Sequence, residues 1–143
     1  MLIKTFIIVA LLMPFASIQA QAASESALSV RLQQAVDANC DGVSDNAFSS
    51  KPSSQFIILP QQCLIYKITA QNHSNQPLTN IILTGKIPQY TQLKPNSIFV
   101  YENEKLSPVV AYQSSDSPQV KAELTTLAPF KSIVIIYSVL IHF

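Results

Sequence analysis

Between Cys63 and Ile87 the chain reads CLIYKITAQNHSNQPLTNIILTGKI, two runs of extended-type residues around the polar corner Asn72-His73-Ser74-Asn75-Gln76-Pro77. In the first run Leu64, Tyr66, Ile68 and Ala70 share one face, while Cys63, Ile65, Lys67 and Thr69 share the other. That period of two is the pattern of a strand with one side on a core. The β-branched Thr79, Ile81, Ile82 and Thr84 carry the second run. It stops at Ile87-Pro88, where proline has no N–H for a ladder. Two strands follow, either antiparallel neighbours or strands crossing between sheets.

Residues 1–22 have the layout of a secretory signal peptide. Lys4 gives a positive start, an apolar stretch of about ten residues follows, and Ala20-Gln21-Ala22 offers a small-x-small cleavage site. The apolar stretch falls short of the roughly 20 residues of a membrane-spanning helix, so cleavage after Ala22 is expected, with no membrane span afterwards. No cysteine lies near that site for lipid attachment. Residues 23–143 then suit a single domain of ordinary size. Removing Lys4 from nine basic residues leaves eight, against eight acidic ones. A balanced chain without a basic run has no electrostatic footprint for nucleic acid or an anionic membrane.

Residues 27–36 fit two periods. Leu28, Val30 and Leu32 alternate with Ser29, Arg31 and Gln33 as in a strand, while Leu28, Leu32, Ala35 and Val36 would also line a helix. The extended reading is adopted because the rest of the chain is a series of short β-type runs. These are an apolar run at 55–59 leading into the turn Pro60-Gln61-Gln62, then strands at 98–102, 109–113, 120–124 and 133–143. Tyr90-Thr91 reads as a connection and Asn103-Glu104-Lys105 as a turn. The expected fold is therefore all-β, an Ig-like β-sandwich of about seven to eight strands. In the last run Ile133, Ile135, Tyr137, Val139, Ile141 and Phe143 share a face, which suits a core-facing edge strand. One such strand does not make a membrane barrel, which needs at least eight.

The most chemical-looking segment spans residues 37–45. Asp37, Asn39, Asp41 and Asp45 stand at relative positions 1, 3, 5 and 9, with Gly42 at 6, as in a calcium loop. Position 12 holds Phe48 where such loops place glutamate, so the site would be weak. The simpler reading is a turn whose Asp and Asn side chains bond their own backbone, with Gly42 at positive φ. Cys40 and Cys63 are the two cysteines. In an oxidising compartment they are expected to pair, closing a loop of about two dozen residues worth roughly 3 to 4 kcal/mol. Neither has the spacing of a metal site or a cationic setting.

From Leu28 to the end the chain resembles the bacterial conserved-repeat domain of unknown function, the eleventh in that series, an Ig-like module often found in tandem in exported proteins. The matching pieces are Asp37-Ala38-Asn39-Cys40-Asp41-Gly42, Leu59-Pro60-Gln61-Gln62-Cys63, Tyr66-Lys67-Ile68-Thr69 with Asn72, and Thr79-Asn80-Ile81-Ile82-Leu83. Ile87-Pro88 with Thr91, and Leu127-Ala128-Pro129, complete them. The resemblance implies a sandwich without catalytic activity and names no ligand. Where the family has glycine after the proline of its first and last turns, this chain has Gln61 and Phe130. Turns built on those residues are expected to avoid positive φ and so to differ in type.

Catalysis needs convergent acid, base or nucleophile groups, and His73 and His142 have no such partner nearby in sequence. No enzyme and no cofactor are expected. Asn72-His73-Ser74 matches a glycosylation sequon but reads better as a β-corner. The leading expectation is a structural or interaction module in the periplasm or outside the cell, partnered by another protein of the envelope. The alternatives are a polymerising fibre subunit, suggested by the apolar final strand, and a calcium-dependent ligand binder. The absence of tryptophan weakens the last for sugars.

Overall fold

The alternation that starts at Cys63 forms strand β2 (Cys63–Asn72), and the ambiguous run before it is also extended, forming β1 (Leu28–Asp37). This computed structural model describes residues 27–51 and 58–142. The expected signal peptide and Phe143 lie outside the described residues, as does most of the 55–59 run. Of that run, Ile58 and Leu59 are described and belong to no strand.

Seven further strands follow in chain order: β3 (Leu78–Lys86), β4 (Thr91–Leu93), β5 (Phe99–Glu102), β6 (Lys105–Leu106), β7 (Ala111–Gln113), β8 (Gln119–Leu127) and β9 (Ser132–Ile141). They make two packed sheets, the expected sandwich. The first runs β1-β2-β9-β5-β6, with β4 also beside β9, and the second runs β3-β8-β7. All the pairings are antiparallel. The two runs around the Asn72 corner are thus not neighbours: β2 lies in the first sheet and β3 crosses to the second.

Two expectations are corrected. Thr91 of the Tyr90-Thr91 connection opens a short strand, β4, and the Asn103-Glu104-Lys105 turn, formed at Asn103 and Glu104, gives way at Lys105 to another, β6, so that the described residues hold nine strands. Runs of three and two residues are too short to show alternation. The final strand is also not an edge: β9 pairs with β2 on one side and with β4 and β5 on the other. Its Ile133, Ile135, Tyr137, Val139 and Ile141 are all buried and pack with Leu64, Ile68, Leu83, Val120 and Leu124 between the sheets. Each aliphatic side chain so buried is worth about 1.5 to 3 kcal/mol. That accounts for an apolar strand at the middle of the first sheet.

The turns overturn a third expectation. Gln62 N donates to Leu59 O at 3.2 Å, Thr91 N to Pro88 O at 3.2 Å, and Lys131 N to Ala128 O at 3.2 Å. In each turn the third residue has positive φ: 71° at Gln61, 63° at Tyr90 and 57° at Phe130. With proline or another negative-φ residue second, these are type II turns. Gln61 and Phe130 thus carry side chains in the left-handed region instead of avoiding it.

β1 overhangs. The second sheet is three strands wide, with β3 at its edge, and it does not reach across to cover the inner face of β1. Val30 and Leu32 on that face stay 57 % and 52 % exposed. Toward the other end of β1 the buried residues switch to the outer face, where Ala35 and Asp37 sit beside Ile65 and Cys63 of β2.

Candidate functional site

The loop after β1 is organised by carboxylates that accept from its own amides. Asp37, fully buried, takes Asp41 N on Oδ1 at 3.1 Å and Gly42 N on Oδ2 at 2.8 Å. Asp41 takes Val43 N on Oδ1 at 2.8 Å and Asn39 Nδ2 on Oδ2 at 3.0 Å. Asp45 takes Ala38 N at 2.7 Å, and Asn46 Oδ1 takes Val36 N at 2.7 Å. Gly42 has φ 91°. The hydrogen bond from Val43 N, then that from Asn39, hold the Asp41 carboxyl below the ordinary aspartate range, with Lys94 adding a smaller pull. This is the hydrogen-bonded turn of the sequence reading. Among the described residues no group of three or more His, Cys, Asp or Glu side chains is disposed to hold a metal ion. The carboxylates of Asp37, Asp41 and Asp45 each accept from backbone amides of the loop.

Cys40 and Cys63 are bonded, with S–S 2.00 Å and Cα–Cα 5.2 Å. The bridge ties this loop to the start of β2, and the Lys94 ammonium donates to the Cys40 carbonyl. The loop also runs back along β1: Gln34 and Ser49 exchange both backbone bonds at 3.0 Å, and Asp45 N donates to Val36 O at 2.7 Å. Farther along, Lys67 Nζ stands 5.3 Å over the Phe48 ring. The edge of β1 is therefore capped near Gln34 and Val36.

The corner at Asn72 is a junction between the sheets. Its buried Nδ2 donates to Gln76 O at 2.8 Å, Leu127 O at 3.1 Å and Ala128 O at 3.2 Å, while Oδ1 accepts from Ser74 N and Ser74 Oγ. An amide so engaged is not available for glycosylation in the folded chain. Beside it, His73 Nε2 lies 2.7 Å from Ser29 Oγ. The chain separation of 44 residues concealed this pair from sequence reasoning. It has the atoms of a nucleophile and base, and both residues are exposed. Among the described residues no carboxylate hydrogen-bonds the imidazole to orient it. His142 is likewise exposed, its backbone N donating to Tyr90 O.

The feature sequence reasoning missed is a groove of about 390 Å³ between the overhang of β1 and the edge of β3. Val30, Leu32 and Gln34 line one side, Thr84, Gly85, Lys86 and Pro88 the other, and Tyr66, Ile68 and Tyr137 the floor. The tyrosine rings stack with centroids 5.3 Å apart. The Tyr137 hydroxyl donates to Lys86 O at 2.8 Å. Burial pushes the Tyr66 phenol above the ordinary tyrosine range and Tyr137 far above it, so both are neutral at physiological pH. Lys86 is then the one charged group among the described lining residues. The groove surface is mostly hydrocarbon and carries this one cation.

Compared with known proteins, the chain matches no family model and no curated protein. Among the described residues no helix is long and apolar enough to cross a membrane.

Proposed function

We propose that the chain is a non-enzymatic, exported Ig-like module of the cell envelope whose role is to bind another protein. The observation that carries this reading is the exposed apolar strip of Val30 and Leu32 over the groove floor. Contiguous apolar surface on a small domain costs solubility unless a partner covers it. A leader with a small-x-small site supports export, and a disulfide is the bond of an oxidising compartment. The turn sequences that carry the resemblance to the conserved-repeat module support the same reading.

The fibre-subunit alternative rests on the long apolar final strand together with the single disulfide. Because β9 is paired along both sides, that strand is committed to its own sheet.

The test is the native size of the protein in fractionated cells, by gel filtration and by non-reducing electrophoresis with and without boiling. A defined heteromeric complex in the envelope fraction, lost when Leu32 is replaced by glutamate, is the expected result. A protein that is monomeric in every fraction, or a ladder of heat-sensitive homopolymers, would overturn it.

A further inference from the structure

We propose that the groove is a strand-acceptor site: an extended segment of another protein adds to the free edge of β3, sets alternate apolar side chains onto Val30 and Leu32, and places an acidic residue beside Lys86. This inference rests on the interaction reading and adds to it the mode and chemistry of binding.

The main chain of β3 supplies the first argument. Among the described residues β3 pairs with β8 alone. Just past its end, Ile87 N donates to Pro118 O, on the β8 side. In an antiparallel ladder successive residues turn their N–H and C=O to opposite sides, so Lys86, Thr84 and Ile82 present theirs to the free edge. The Tyr137 hydroxyl already satisfies Lys86 O. The groups at Thr84 and Ile82 are left for an incoming strand. Such a strand would lie in the second sheet opposite β1, where among the described residues no strand of that sheet reaches.

Side chains supply the second. A strand in that position points every other residue inward, onto the exposed Val30 and Leu32 and the stacked tyrosines. A segment alternating apolar and polar residues fits, and a uniformly polar one does not. Charge supplies the third. With both tyrosines neutral, Lys86 is the single charge among the described residues of the groove, and it selects for a carboxylate in the segment that reaches it.

The occupant is another protein rather than a second copy. Among the described strands, the apolar one a copy could lend, β9, is held by β2 on one side and by β4 and β5 on the other. The apolar side of β1 faces its own groove.

The experiment uses the purified full-length exported chain and two fluorescent peptides of alternating valine and serine, one ending in glutamate and the other in lysine, read by anisotropy. The glutamate peptide is expected to bind the better. Leu32→Glu, at an exposed position, should weaken it about tenfold or more, because the new carboxylate would be buried unpaired. Thr84→Pro removes one edge N–H, leaves the β8 ladder alone, and should abolish binding. Lys86→Glu should reverse the preference, weakening the glutamate peptide about two- to fivefold and strengthening the lysine peptide. Thermal melts check that each variant folds; should Thr84→Pro not fold, the other two decide. Absence of peptide binding by the wild-type chain, or binding indifferent to Leu32→Glu, would overturn the site. So would a concentration-dependent dimer abolished by Leu32→Glu, which would assign the groove to a second copy. A native complex in cells that withstands Leu32→Glu would remove the acceptor site while leaving an interaction module that uses another surface.

Discussion

Gly85 and Tyr137 approach so closely that a Cβ on the glycine would stand 2.5 Å from the tyrosine hydroxyl oxygen. The same Cβ would meet Ile68 Cδ1 at 2.7 Å and Tyr137 Cε1 at 2.7 Å. Here glycine is required by space, since its φ is not in the left-handed region. Gly85→Ala is expected to lower stability by about 1 to 3 kcal/mol, read from urea denaturation. Adding Tyr137→Phe removes the nearest clashing atom but leaves the ring, so the double variant should lose less than the sum of the singles. Strict additivity would show that the two positions do not press on each other.

Phe130 holds φ 57° in the turn before β9 while 64 % exposed. It bears the cost of a left-handed residue with little burial in return. Phe130→Gly should stabilise the domain by about 0.5 to 1 kcal/mol, the relief of strain being partly offset by glycine's greater freedom when unfolded. A rise of about 2 to 5 °C in Tm is the expected reading. A fall would mean that the phenyl ring contributes packing that outweighs the backbone.

Asn72→Ala should cost about 2 to 3 kcal/mol, because it leaves the carbonyls of Leu127 and Ala128 and the Ser74 amide without a side-chain partner. Ser74→Ala deletes a single hydroxyl at the same corner and should cost less. The comparison is made by chemical denaturation. Equal losses would locate the stabilisation in Ser74 rather than in the bonds between the sheets.

Asp41 gives a pH dependence of known sign. Its folded-state pKa is lowered, chiefly by the Val43 amide. The stability it contributes is therefore full above about pH 4, where the unfolded aspartate is ionised, and fades as pH falls through the lowered folded value. Asp41→Asn should flatten that part of the acid limb and leave the neutral region little changed. The hydrogen-bonded turn also expects Asp41→Ala to lower Tm equally with calcium and with chelator. A loss confined to calcium would establish a metal site.

Reducing the Cys40–Cys63 bridge should lower stability by about 3 kcal/mol without changing the far-ultraviolet spectrum of the folded state. Cys40→Ser combined with Cys63→Ser should behave like the reduced protein. Coincident melts of reduced and oxidised samples would show that no bridge forms in solution.

Alternation identified most of the long strands because each has one face on the core, and composition of that kind survives any arrangement of neighbours. Leu28 to Gln33 read as a strand for this reason, although the face it advertised is only half covered. What could not be read is what neighbours decide. The β9 pattern reads as an edge because it reports a buried face and is silent about its hydrogen-bonding sides. The groove needs β1 and β3, which are distant in sequence, and the second sheet's width sets it. Ser29 and His73 meet only through the β1–β2 register. At Gln61, Tyr90 and Phe130 residue type argued against positive φ, yet the closing hydrogen bonds and flanking strands fix the turn.

The central place of β9 also governs when folding can happen. A chain that emerges amino end first from a ribosome or a translocation channel shows β1 and β2 early, but their sheet lacks its middle until residues 132–141 appear. Through most of emergence the β2 edge that β9 will cover stands open, an aggregation hazard for any waiting segment. The native state should thus arise in one late step, and the chain should depend on being kept extended until then.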